Sequence, residues 1–256
     1  MKKPSRQGIG KVSLARALSK FGYCSRKQAD SVIRSGRIRV DGKVVSDPDV
    51  RVDLVRNRIR VDRRKLSQPA GVYVLLHKPA GLVTTASDDR GRETVYRCLD
   101  NYGLPRLVPV GRLDKDSEGL LLFTNDTRWA NRITDPRSGV EKIYRVRVQG
   151  IPERAVLDRM RHGIETGGDI LSVRRVRIID HEEGDAWLEI ALDEGKNRHI
   201  RRLCSALGLD VVRLIRIAVG PFSLGRLAPG KFRRLTPEEA YAINVPVPGT
   251  ALNRRP

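Results

Sequence analysis

The residues with the clearest chemical potential lie in Gly111-Arg112-Leu113-Asp114-Lys115-Asp116-Ser117-Glu118-Gly119, five charges and two glycines in one short stretch. Apolar runs at 107–110 and 120–123 flank it, each as long as a buried strand. Charges resist burial unless paired, and glycine allows turns that strain other residues. Such a loop is either a structural turn tied by ion pairs or a reaction centre on a rigid base. In the first case Asp114 caps the turn, and Arg112, Lys115 and Asp116 form a solvated cluster. In the second, Asp114 is the working carboxylate, and Gly111, Arg112 and Leu113 shape the loop behind it. The loop alone favours the turn; the rest of the chain favours the reaction centre.

Two further side chains could serve Asp114. Residues 142–148 alternate, with Tyr144, Val146 and Val148 on one face and Ile143, Arg145 and Arg147 on the other. Tyr144 is then either a core aromatic with its hydroxyl tied to a partner or a ring on which an extruded base stacks. The spacing of Ile200, Leu203, Cys204 and Leu207 predicts a helix over 198–207, capped by Asn197 and stopped by Gly208. Arg198, Arg202 and Ser205 point away from that apolar stripe. Arg201 sits at its edge, where the stem can pack while the guanidinium reaches a carboxylate. Neither the cysteines (Cys24, Cys98, Cys204) nor the histidines (His77, His162, His181, His199) show metal-ligand spacing. No metal or cofactor is expected, and the cysteines read as small buried or half-buried residues in a reducing, cytoplasmic setting.

The elements that must position these residues are mixed. Strands are predicted at 72–76, 82–85, 173–179, 187–192 and 211–219, the last interrupted by Arg213 and Arg216. Helices are predicted at 93–99, from an Asn125-Asp126 cap through Trp129 and Ile133 to before Pro136, at 152–162, and after Thr236-Pro237. This is an α+β pattern.

Charge is the loudest compositional signal: 50 Lys+Arg against 30 Asp+Glu give +20 over 256 residues, which points to a polyanionic partner. No apolar run approaches the roughly 18 residues of a membrane span, and no secretory signal is visible, so no membrane association is expected. The basic excess is concentrated at the N-terminus, where residues 1–65 hold 19 Lys+Arg and 6 Asp+Glu, a net 19 − 6 = +13. A basic tail, expected to be disordered, occupies 1–11. Beyond it come apolar helical spacing over 12–21, the capping-box pattern Ser25-Arg26-Lys27-Gln28, and the hairpin turn Asp41-Gly42 between alternating runs. A further strand at 58–61 completes the module, which is expected to span 12–63. A linker is expected at 64–71, a larger domain at 72–243, and a flexible tail at 244–256.

Leu14-Ala-Arg16, Gly22-Tyr-Cys-Ser-Arg26 and Ile33-Arg-Ser-Gly-Arg-Ile-Arg-Val-Asp-Gly42 resemble the S-four RNA-binding domain. That resemblance implies a helix pair on a small sheet, with Arg26, Lys27, Arg34 and Arg37 on RNA phosphates. Downstream, Lys78-Pro-Ala-Gly81, the stretch from Gly111 to Asp126, Glu141-Lys-Ile-Tyr144 and Glu194-Gly-Lys-Asn-Arg-His-Ile-Arg-Arg-Leu203 resemble the RsuA family of ribosomal RNA pseudouridine synthases. His77 departs from the Asn that many relatives carry.

The family resemblance implies a curved, mainly antiparallel mixed sheet crossed by a cleft. It implies that Asp114 attacks or deprotonates the ribose of a flipped uridine, that Tyr144 stacks on the base, and that Arg201 pairs with Asp114. Lys78, Arg198 and Arg202 join the expected RNA contacts. The implied partner is a single-stranded loop or stem-loop of ribosomal RNA, met by a monomer. Isomerisation transfers no electrons to or from another molecule and adds no group, so it calls for no cofactor. The competing reading is a non-catalytic RNA-binding or ribosome-assembly factor, which the N-terminal module alone would support.

Overall fold

A computed structural model describes residues 11–67, 69–100, 102–182 and 184–243. The two expected tails lie outside the described residues, Lys11 excepted. The chain divides into two compact units, one running to Gly71 and including Asn125–Thr127, the other formed by Val72–Thr124 and the chain from Arg128 onward.

In the first unit, Ser13 ends a two-residue strand and caps the helix Leu14–Lys20. The expected helix thus starts later than its apolar spacing suggests, because Val12 and Ser13 pair with Arg51 and Val52. Ser25 and Gln28 form the predicted capping box of the helix Arg26–Arg34, and Gly36 turns out of it at φ 71°. Asp41 and Gly42 both take positive φ, as a two-residue hairpin turn requires. They join Ile38–Val40 to Lys43–Val44. Ile59–Val61 pairs on the other side of Ile38–Val40. Arg64–Lys65 then adds a fourth strand where a linker was expected. Leu14, Ala17, Leu18, Ala29, Ile33, Ile38 and Ile59 form a core between helices and sheet.

The second unit is organised on a nine-stranded sheet. Its order is Arg175–Glu182, Asp185–Leu192, Lys142–Val148, Val211–Val219, Glu118–Thr124, Tyr73–Lys78 and Phe232–Arg234, with Val108–Val110 and Phe222–Ser223 paired off this path. Among the described residues every strand pairing in it is antiparallel except one, the short parallel contact of Ile215 with Glu118 and Arg216 with Gly119. The two strands are seven and nine residues long yet meet over only these two positions, so they part beyond the seam.

The apolar run at 120–123 is continuous because both of its faces are buried. Leu120 and Leu122 pack into one core with Trp129, Ile133 and Phe222; Leu121 and Phe123 pack into another with Val74, Leu76 and Val95. Burying four such side chains contributes about 1.5–3 kcal/mol each, which makes a stiff base for the loop that precedes them. A third core, under the helices Arg154–His162 and His199–Ala206, includes Val146, Leu188, Ile190, Leu203 and Cys204.

Two further expectations need correction. Residues 82–85 make no strand, only an isolated bridge of Val83 to Thr94. Residues 93–99 give a 3-10 turn, Val95–Cys98, because Val83 and Thr94 hold its start extended. The hairpin Ile164–Thr166 with Asp169–Leu171 was not foreseen; its runs are too short to show periodicity.

Candidate active site

The loop ahead of Glu118 is held through its backbone carbonyls. Six consecutive carbonyls, 112 through 117, each accept a hydrogen bond. Arg216 Nη1 makes a long contact of 3.5 Å to the Arg112 carbonyl. Thr84 Oγ1 donates to the Leu113 carbonyl at 2.7 Å and accepts from its N–H at 3.3 Å. The Ser117 N–H closes a turn on the Asp114 carbonyl at 3.1 Å. Lys78 Nζ reaches the carbonyls of Lys115 (3.2 Å) and Ser117 (2.7 Å) as well as that of Pro79, and the Gly81 N–H also donates to Lys115. Arg201 Nη2 donates to the Asp116 carbonyl at 3.1 Å. Pinned this way, the loop presents the Asp114 side chain while its carbonyls 112 through 117 are all occupied, the preorganisation that a reacting group needs.

That side chain opens on a cleft of about 400 Å³ lined by Asp114, Tyr144, Lys142, Arg201, Arg216 and Leu192, among others. The volume suits one small organic group such as a nucleobase with its sugar. Tyr144 lies directly across the strand pair from Arg216, next to a bulge, a feature common beside active sites. The cleft therefore brings together the three residues singled out from sequence.

Residues 72–206 match the RNA pseudouridylate synthase family. The chain belongs to that family. The synthase match is joined by an S4 domain at residues 12–55. Ribosomal large subunit pseudouridine synthase B of Bacillus subtilis is 35 % identical over 90 % of this chain and 94 % of its own length. An RNA pseudouridine synthase of Aquifex aeolicus is 37 % identical over 89 % and 92 %. A crystal structure of a pseudouridylate synthase superposes with a TM-score of 0.63 at 28 % identity, covering 91 % of this chain and 99 % of the other.

Within this synthase two expected roles change. Arg201 makes no ion pair with Asp114 among the described residues; its guanidinium is spent on the carbonyls of Asp116 and Val211, and its Nε is buried without a partner. Its contact with the loop is through the main chain, because those carbonyls are within its reach. Lys78, expected on RNA, is fully buried and surrounded by carbonyl oxygens, so no phosphate can reach it. Burial is the main cause that pulls its pKa down to about 8, with Asp116, Glu118 and Asp114 opposing. Replacing Lys78 by Met is therefore expected to leave RNA affinity unchanged and to lower kcat by about a hundredfold, the scale of a misplaced reacting group. Equal losses in Kd and kcat would return Lys78 to the RNA surface.

The other expected RNA contacts divide. Arg26, Lys27 and Arg34 are exposed on one helix. Arg37 is exposed but engaged with Asp62 through two hydrogen bonds. Arg198 is exposed at the cleft and caps the helix His199–Ala206 in the left-handed region, φ 47°, displacing the expected cap Asn197. Arg202 is tied to Asp169 and the Thr166 carbonyl, fixing the unforeseen hairpin to the helix. Thr84 carries no signal of its role in the sequence. Lys142 and Arg216 are not among the expected site residues either, although an arginine inside an otherwise apolar strand is itself a signal.

Proposed function

We propose that this synthase isomerises a uridine of ribosomal RNA to pseudouridine with Asp114 as the reacting carboxylate. The observation that carries the reading is the pinned loop, which holds Asp114 at a cleft with Tyr144 on its wall. Ribosomal RNA is the substrate class named for the Bacillus subtilis relative, and the basic N-terminal module suits it. A base stacked in a helix must leave the stack before its sugar can be attacked. In the proposed sequence the flipped uracil stacks on Tyr144, and Asp114 acts on the ribose so that the C1′–N1 bond breaks. The freed uracil rotates, C5 bonds to C1′, and the proton lost from C5 is matched by one gained at N1. Atoms and electrons balance within the nucleotide.

The reading includes action as a monomer on a single-stranded loop or stem-loop, the state expected from the sequence. No helix among the described residues is long and apolar enough to cross a membrane, and Cys24, Cys98 and Cys204 are free thiols; both suit work in the cytoplasm. The test is direct: unmodified ribosomal RNA incubated with the chain is expected to gain pseudouridine at a discrete site. RNA of both subunits left unchanged would refute the reading.

The N-terminal module makes its own prediction. Replacing Arg26, Lys27 and Arg34 together by Ala is expected to reduce the slope of log affinity against log salt by about 2, since each phosphate contact contributes about 0.7–0.9. Filter binding across a salt series measures it, and an unchanged slope would remove this helix from the RNA contact.

A further inference from the structure

Among the cleft-wall cations without an ion pair are Lys142 and Arg216, both beside Tyr144. Lys142 and Tyr144 sit two residues apart on one strand, hence on the same face and about 6.6 Å apart along it. Arg216 is the cross-strand neighbour of Tyr144. Arg216 is 6 % exposed. Its Nε donates to the Leu120 carbonyl at 2.8 Å and its Nη1 weakly to Arg112, which leaves Nη2 without an acceptor among the described residues. Lys142 Nζ has a single long bond, 3.3 Å, to the Asp193 carbonyl. Neither cation has a carboxylate within ion-pairing distance among the described residues. The nearby acids are committed elsewhere or withdrawn: Glu194 lies against Lys196 and His199, and Asp193 against Arg174. Asp114 lines the same cleft but makes no ion pair with either cation among the described residues.

Two like charges placed together in a half-buried wall repel, and removal from water raises the cost. The wall carries that cost unless an anion arrives. Burial and then the charge of Arg216 both press the Lys142 ammonium below a lysine's ordinary value, with Asp193 opposing. Of the groups a flipped nucleotide brings, only its phosphate is an anion. We propose that Lys142 and Arg216 together seat a phosphate of the target nucleotide, so that the base on Tyr144 and the ribose at Asp114 are located from the backbone side. The proposal rests on the pseudouridine reading and adds positioning residues to it. Arg216 then has two tasks, since it also touches the loop at Arg112.

The experiment compares uridine 5′-monophosphate with uridine as probes of the free chain, following the Lys142 side chain by NMR across pH. The monophosphate is expected to move the Lys142 titration midpoint upward by about one unit, and uridine to leave it in place. The Lys142→Gln chain is expected to bind the monophosphate about tenfold more weakly, the order of one charge-assisted contact, with uridine unaffected and the thermal melt unchanged. A midpoint that the monophosphate does not move, or equal losses for both probes, overturns the site. A chain that shows these shifts yet leaves ribosomal RNA unmodified would sink the pseudouridine reading and spare the phosphate seat.

Discussion

The Asp114→Asn chain is expected to bind ribosomal RNA as tightly as the parent and to form no pseudouridine. Asparagine has the same shape, and the Asp114 carbonyl, which takes the Ser117 N–H, is unchanged. The other five carbonyl anchors of the loop lie on neighbouring residues, so the turn should persist. What is lost is a negative oxygen able to attack or take a proton. Removing a reacting side chain in other enzymes lowers kcat by about four orders of magnitude or more, and the same scale is expected here. Single-turnover conversion at saturating RNA, read beside the dissociation constant, measures both quantities. Conversion within tenfold of the parent would end the case for Asp114.

The second large effect is structural. At Gly119 an added Cβ would stand 2.2 Å from the Arg216 carbonyl oxygen and 2.6 Å from its nitrogen. Both are backbone atoms that cannot swing aside, and φ is +107°. Gly119→Ala is therefore expected to force apart the parallel seam, at about 4 kcal/mol or more, the range reserved for severe packing failures. Gly150→Ala is the control, because φ is also positive there but nothing lies within 4 Å; it should cost only about 1–2 kcal/mol of backbone strain. Urea melts of the two variants separate these outcomes. A Gly119→Ala chain as stable as the Gly150→Ala chain would mean that the seam yields easily.

Much of this architecture was legible before any coordinates. The capping box at Ser25, the Asp41-Gly42 turn and the alternation of 142–148 are local signals that each depend on a few adjacent residues. The doubly buried strand at 120–123 announced itself as an unbroken apolar run. The cradle of the loop did not, because Thr84, Lys78, Arg201 and Arg216 converge on it from distant parts of the chain. Lys78 is hidden for the same reason: a lysine between an apolar strand and Pro79 looks like a surface cation, whereas three carbonyls surround its ammonium. Arg201 is expected to pair with Asp114, but which of its atoms finds a partner depends on distances that periodicity does not carry.

The anchors of the loop come from both banks of the parallel seam, Lys78, Gly81 and Thr84 from one and Arg201 and Arg216 from the other. Enzymatic output is thereby made a gauge of how well the two banks are joined. Gentle denaturation that loosens either bank should silence the protein at the same point at which the seam opens, with no stretch of conditions in which a folded chain has merely lost a frayed loop.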